Sequence, residues 1–198
     1  MSKVLVELIK KNFGGAVLET HSLHGDETVV VEAAAWKEVA RFLRDAPQAG
    51  MDMLTDLTAV DFPEREPRFE IVAHFYSLTR GHRLRVKTRT GDSEGDDAEV
   101  ESLCEFWASA NWLERECFDM FGVVFKNHPD LRRILMYPEF EGHALRKDYP
   151  ADKIQPLIAY RDVPNIEKIA PFSVDEGMSF GRQTHTGGRH DTDDSQVN

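Results

Sequence analysis

The chain has 198 residues, 41% of them hydrophobic and 30% charged, enough apolar material for one folded domain with appendages and too much for wholesale disorder. Its 24 Lys and Arg against 35 Asp and Glu leave a formal charge of -11, which argues against a nucleic-acid partner, since phosphate recognition needs a basic surface. No apolar run approaches the roughly 20 residues that cross a bilayer, and Lys3, Glu7, Lys10 and Lys11 interrupt the apolar stretch a secretory leader requires.

Along the chain, Val4, Leu5, Leu8, Ile9 and Phe13 recur with helical spacing, and Gly14-Gly15 stops the element. Short β-like pieces follow at 16–18 and 28–31. A second helix is expected over about 34–46, with Trp36, Val39, Ala40, Phe42 and Leu43 inward and Pro47 and Gly50 closing it. The period then changes. Segments 54–60 and 69–76 are rich in β-branched and aromatic residues, and 84–88 alternates apolar with polar, the pattern of neighbouring antiparallel strands. Alternation places Arg83, Arg85, Lys87 and Arg89 on one solvent face, suited to solvent or an acidic protein partner.

A helix is expected over about 99–109, carrying Val100, Leu103, Cys104 and Trp107, and another from Asn111. On the latter Leu113, Cys117, Met120 and Phe121 share one side, and Arg115 and Asp119 pair at i, i+4 to organise it. From about 128 the texture is extended, charged and spaced by prolines, an arm that needs a partner surface. The fold class is therefore α+β: helices packed on a mostly antiparallel sheet, with a core at 1–125, an extended arm at 126–174 and a polar, mobile tail at 175–198.

Several kinds of chemistry find no support. Glu114 and Glu116 sit about 200° apart on a helix and cannot converge on one substrate atom, so capping and ion pairing are the simpler roles. A free-standing hydrolase would have to use Glu116 with His128. His128 and His143 lack zinc spacing, as does His185-x4-His190, and no nucleophile elbow or phosphate loop is present. Cys117 lies on the apolar stripe as a buried thiol, and two cysteines cannot hold an iron–sulfur cluster. Reduced, cytosolic residence follows. Runs 114–135 and 140–150 alternate fixed charges with large apolar groups, as interfacial ion-pair networks do, and Arg132, Arg133 and Arg146 suit carboxylate clamps.

Those two runs resemble the C subunit, or 30 kDa subunit family, of proton-pumping NADH:quinone oxidoreductase, respiratory complex I. Its E-R-E-x-x-D signature, with a following His-Pro and Arg-apolar pair, is matched by Glu114, Arg115, Glu116, Asp119, Met120, Phe121, His128, Pro129, Arg132, Ile134 and Leu135. Its later F-E-G-H-P-L-R-K-D-F-P run is matched by Phe140, Glu141, Gly142, His143, Leu145, Arg146, Lys147, Asp148 and Pro150. Ala144 stands for the usual proline, Asn127 for the usual glycine and Tyr149 for phenylalanine.

The resemblance implies a non-catalytic subunit of the cytoplasmic peripheral arm on the bacterial inner membrane, with no membrane span, cluster, flavin or quinone site of its own. NADH, FMN, iron–sulfur clusters and quinone would be bound by other subunits, and the chain would brace the large D subunit, which helps form the quinone site. Arg132, Arg133, Gly142, His143, Arg146, Lys147 and Asp148 would form the partner interface. The small subunit of a related membrane-bound hydrogenase or ferredoxin-dependent quinone reductase is the alternative within the same architecture.

Overall fold

The computed structural model describes residues 2–158; the remainder of the expected arm and the tail at 175–198 lie outside the described residues. The elements run α1 (Ser2–Phe13), β1 (Val17–Leu23), β2 (Asp26–Val31), α2 (Trp36–Asp45), β3 (Met53–Asp61), β4 (Phe69–Tyr76), β5 (Arg83–Thr90), β6 (Glu99–Glu101), α3 (Ala110–Phe121) and β7 (Val124–Lys126). Five strands form one sheet in the order β1-β2-β5-β4-β3. Every neighbouring pair is antiparallel except β2 with β5, which is parallel. A second sheet pairs β6 with β7 in parallel. The chain is thus α+β with a mostly antiparallel sheet.

Strand periodicity divides the sheet into two faces. Phe69, Ile71, Ala73 and Phe75 of β4 point to the core with Leu84 and Val86 of β5 and Leu57 and Ala59 of β3, where they meet α1, α2 and α3. A bulge between Leu54 and Asp56 inserts one residue, so Leu54 and Leu57 both reach the core despite odd spacing. The other face carries Arg83, Arg85, Lys87 and Arg89, as alternation predicts. Lys87 Nζ lies 2.6 Å from Glu70, Arg89 lies 3.3 Å from both Glu70 and Glu19, and Arg85 lies 3.7 Å from Asp26. Three of the four basic side chains are therefore paired within the chain, and Arg83 lies over the Tyr76 ring.

The expected helix at 99–109 is not formed. Residues Glu99–Glu101 are strand β6, and turns closed by Phe106 N–H and Trp107 N–H to the Leu103 carbonyl follow it. Val100, Leu103 and Trp107 are buried as expected, but through a strand and a turn: β6 finds a backbone partner in β7, which a local reading of spacing does not reveal.

Candidate functional site

Helix α3 carries the charged signature and ends at Gly122, whose φ of 81° permits the left-handed cap and whose N–H donates to the Phe118 carbonyl. Buried positions on this helix include Glu114, Arg115 and Asp119 beside Cys117, Met120 and Phe121, so three fixed charges enter the interior. Each must find partners, because an unpaired buried charge costs several kcal/mol.

Asp119 is fully buried and is the anchor of the following segment. Its Oδ1 accepts from Arg133 Nη1 at 2.7 Å, and Oδ2 accepts from the backbone N–H groups of Ile134 at 3.0 Å, Leu135 at 2.8 Å and Met136 at 2.8 Å. Burial alone would raise this carboxyl, but the Met136 N–H, Arg133 and the other two amides outweigh it and hold the group below the usual carboxylate range. The expected Arg115–Asp119 pair is not formed. Arg115 instead donates to the carbonyls of Arg132 at 3.1 Å and Arg133 at 3.3 Å and lies over the Trp112 ring. The i, i+4 rule is overridden because returning chain supplies a better cation for Asp119 and free carbonyls for Arg115.

A second clasp involves Arg146, whose Nε donates to the Phe121 carbonyl at 2.7 Å and Nη2 to the Gly95 carbonyl at 2.9 Å, with the guanidinium over Phe69. His143 Nδ1 meets the Asp119 carbonyl at 3.0 Å; burial pushes its pKa down, and Arg146 and Arg133 add to that against the pull of the carbonyl. Arg133 also donates to the Gly142 carbonyl at 3.1 Å. A Cβ on Gly122 would come within 2.5 Å of Arg146 Nη2 and 2.6 Å of His143 Nε2, so only glycine admits this approach.

A third clasp was not visible in the sequence. Arg68, immediately before β4, forks onto Asp61 at 2.7 and 2.9 Å, with both side chains almost fully buried, and its Nη1 reaches Asp148 at 3.0 Å. The Lys147 N–H donates to Asp61 Oδ2 at 2.7 Å. Burial opposes ionisation of Asp61, but Arg68, the Lys147 amide and Arg146 prevail and lower its pKa. Arg68 holds Asp148 low as well. The only sequence signal was an Asp and an Arg at the ends of two apolar strands.

Among the expected interface residues, then, Arg133, His143, Arg146 and Asp148 each touch the chain's own core, while Arg132 is 69% exposed and paired with Asp130 at 2.8 Å. Gly142 and the Lys147 side chain face outward, and Pro129 is exposed in the turn after β7. At that turn Asn127 has φ of 63°, the conformation in which Asn is best tolerated after Gly, so the departure from glycine leaves the backbone path available.

Glu114 is fully buried; it accepts from Ser102 Oγ at 2.6 Å, the Leu103 N–H at 2.7 Å and Cys104 Sγ at 3.4 Å. Burial raises its pKa against the pull of these donors, and burial with the Glu114 charge pushes the Cys104 thiol up to about 11. His128 donates from Nε2 to the Asn111 carbonyl at 3.1 Å, and its Nδ1 accepts from the Asp130 N–H at 3.0 Å. Cys104, Glu114 and His128 bring one ligand atom each within 4.8 Å of one another. Glu116 is exposed on the other side of α3 and stands outside this group, so the geometry does not assemble a Glu116–His128 acid/base pair.

The sequence profile described as the respiratory-chain NADH dehydrogenase 30 kDa subunit matches residues 29–155. The chain belongs to that family. Its match takes in α3 and the clasped segment beyond β7. A relative from Geobacter sulfurreducens, the C subunit of an NADH-quinone oxidoreductase, is 43% identical over 143 residues, covering 72% of this chain and 85% of its own. Its counterpart of the same name from Rhodobacter capsulatus is 41% identical over 166 residues, covering 80% of this chain and 81% of its own. By fold, this member of the 30 kDa family is similar to a chain of an archaeal membrane-bound sulfane sulfur reductase, with a TM-score of 0.63 and 23% identity, covering 84% of this chain and 99% of that one. No helix among the described residues is long and apolar enough to cross a membrane.

Proposed function

We propose that the chain serves as the non-catalytic 30 kDa subunit of a proton-translocating NADH:quinone oxidoreductase. It lies in the peripheral arm on the cytoplasmic side of the bacterial inner membrane and braces the large quinone-site subunit while electrons pass from NADH to quinone. NADH, flavin, iron–sulfur clusters and quinone belong to other subunits in this reading. Support comes first from the family membership and the relatives' names.

The observation that carries the bracing role is the outer side of the segment beyond β7. Its inner side is fixed by the clasps above, yet it turns Leu135, Leu145, Ile154 and Leu157 to solvent, the last two 90% and 98% exposed. Apolar side chains held out on a fastened scaffold mark a protein-binding surface. Tyr137 Oη donates to the Pro156 carbonyl at 3.0 Å, and Gln155 bonds Glu141 and Tyr149, so the strip is presented by a tied backbone.

Co-purification of the full chain from solubilised membranes, read by mass spectrometry, tests this. The expected partner is a large quinone-site subunit, and Ile154→Asp with Leu157→Asp cuts its recovery several-fold while Tm stays unchanged. Unchanged recovery, or recovery of a hydrogenase large subunit in its place, overturns the reading.

A further inference from the structure

Glu114 differs from the other fully buried carboxylates. Asp61 meets Arg68 and Asp119 meets Arg133, and nearly buried Glu70 meets both Lys87 and Arg89. For Glu114, no Lys or Arg lies within salt-bridge distance among the described residues, although its exposure is 0%. A buried carboxyl that has three donors but no ion pair, with only the more distant charge of Lys37 acting on it, is a place where a bound cation would stabilise the fold.

The neighbours of that carboxylate supply the remaining coordination chemistry. Cys104 Sγ and a ring nitrogen of His128 complete a set of three ligand atoms within 4.8 Å. We propose that Cys104, Glu114 and His128 form a zinc site, with water in the fourth position, that pins the turn after β6, the first turns of α3 and the turn after β7 to one another.

A thiolate, an imidazole and a carboxylate are the donor types that zinc accepts, and bond lengths of about 2.0–2.3 Å at a tetrahedral centre place ligand atoms about 3.3–3.8 Å apart. Cys104 Sγ and Glu114 Oε2 already stand 3.4 Å apart, inside that range. Binding replaces the Cys104 proton, which now points at Glu114 Oε2, with the metal ion; the proton leaves to solvent, and thiolate plus carboxylate neutralise the ion's two charges. Ser102 Oγ and the Leu103 amide already orient the carboxylate. Both ring nitrogens of His128 are engaged by backbone, Nε2 with the Asn111 carbonyl and Nδ1 with the Asp130 N–H, and the nitrogen that takes the metal gives up its bond while the other keeps the ring in place. Carbonyl-oriented imidazoles of this kind are the usual surroundings of a metal ligand.

The test is a cobalt titration of the full chain after chelator treatment. A thiolate-to-cobalt charge-transfer band is expected to saturate at one equivalent, to vanish on adding Zn2+, and to be accompanied by a zinc-dependent rise in Tm. Cys104→Ser and His128→Asn remove the band, and Cys117→Ser keeps it. X-ray absorption on the zinc-loaded wild-type chain reads one sulfur ligand with no variant needed. Absence of the band at stoichiometric cobalt, its survival in Cys104→Ser or His128→Asn, or zinc held by nitrogen and oxygen alone, as histidines 185 and 190 would hold it, overturns the assignment.

Discussion

Replacing Asp119 with asparagine probes the anchor most directly. The amide has one acceptor oxygen where the carboxylate has two. If that oxygen keeps the Ile134, Leu135 and Met136 amides, the NH2 group faces the Arg133 guanidinium, donor against donor; if the side chain flips, the three amides lose their acceptor. Breaking a buried pair from one side costs about 3–5 kcal/mol. Arg133 keeps some contact with solvent, which favours the low end, about 3 kcal/mol, against a total stability of about 5–15 kcal/mol. At about 2–4 °C per kcal/mol, Tm should fall by roughly 6–12 °C. Asp119→Ala, which removes every acceptor, should cost about 1–3 kcal/mol more.

Thermal and urea unfolding measure the loss, and limited proteolysis should show new cuts within 132–157 before the core is attacked. Because the folded carboxyl is held below its ordinary range, the unfolded chain takes up a proton first as pH falls below about 4. The contribution of Asp119 is therefore complete above that pH and is lost as pH falls through the folded pKa; the variant lacks this part of the acid slope. A Tm within about 1 °C of wild type, outside the roughly 6–12 °C expected, would refute the anchoring argument, as would a fall in Tm without new cleavage beyond β7.

Gly122→Ala forces a Cβ onto Arg146 and His143 at a left-handed residue; the backbone alone costs about 1–2 kcal/mol, and calorimetry should show a larger loss, while Gly14→Ala, with open space around it, stays within about 0.5 kcal/mol of wild type. Arg146→Lys gives up the fork onto Phe121 and Gly95 and the stack on Phe69, about 1–3 kcal/mol by urea denaturation, and incorporation into the complex should fall in step with stability since the clasp is internal. Burial pushes the His143 pKa down, so the unfolded chain protonates first below about pH 6.5 and stability falls as the medium is acidified through the folded pKa; Tm measured across about pH 5–7 should flatten in His143→Asn, and an unaltered profile would rule out its share.

The parts of the fold that could be read in advance are those governed by local period. Residues 69–76 are rich enough in β-branched and aromatic side chains that β4 emerged with the expected bounds, and the stripe Trp36, Val39, Ala40, Leu43 marked α2. Phe42, expected inward with them, does pack against the core, but at its edge and only partly buried, with its ring edge-on to Phe13. The failures involve partners distant in sequence. Strand β6 exists because β7 pairs with it, Asp119 rejects Arg115 because Arg133 arrives from a later turn, and Arg68 meets Asp148 across eighty residues of chain. The Cys104, Glu114 and His128 group escaped a search by spacing, since its members come from two turns and a helix. Charge density identified 114–135 and 140–150 as a network, but it gave no sign that much of the network closes on the chain's own core.

The parallel pairing of β2 with β5 has a consequence for synthesis. Val29, Val30 and Val31 emerge from the ribosome about fifty residues before β5, the neighbour that seals their open edge, a delay of about 3–10 s at usual elongation rates. Throughout that interval the nascent hairpin offers an unsatisfied, valine-rich border to any passing strand. Newborn chains should for this reason be the form most dependent on chaperone shielding.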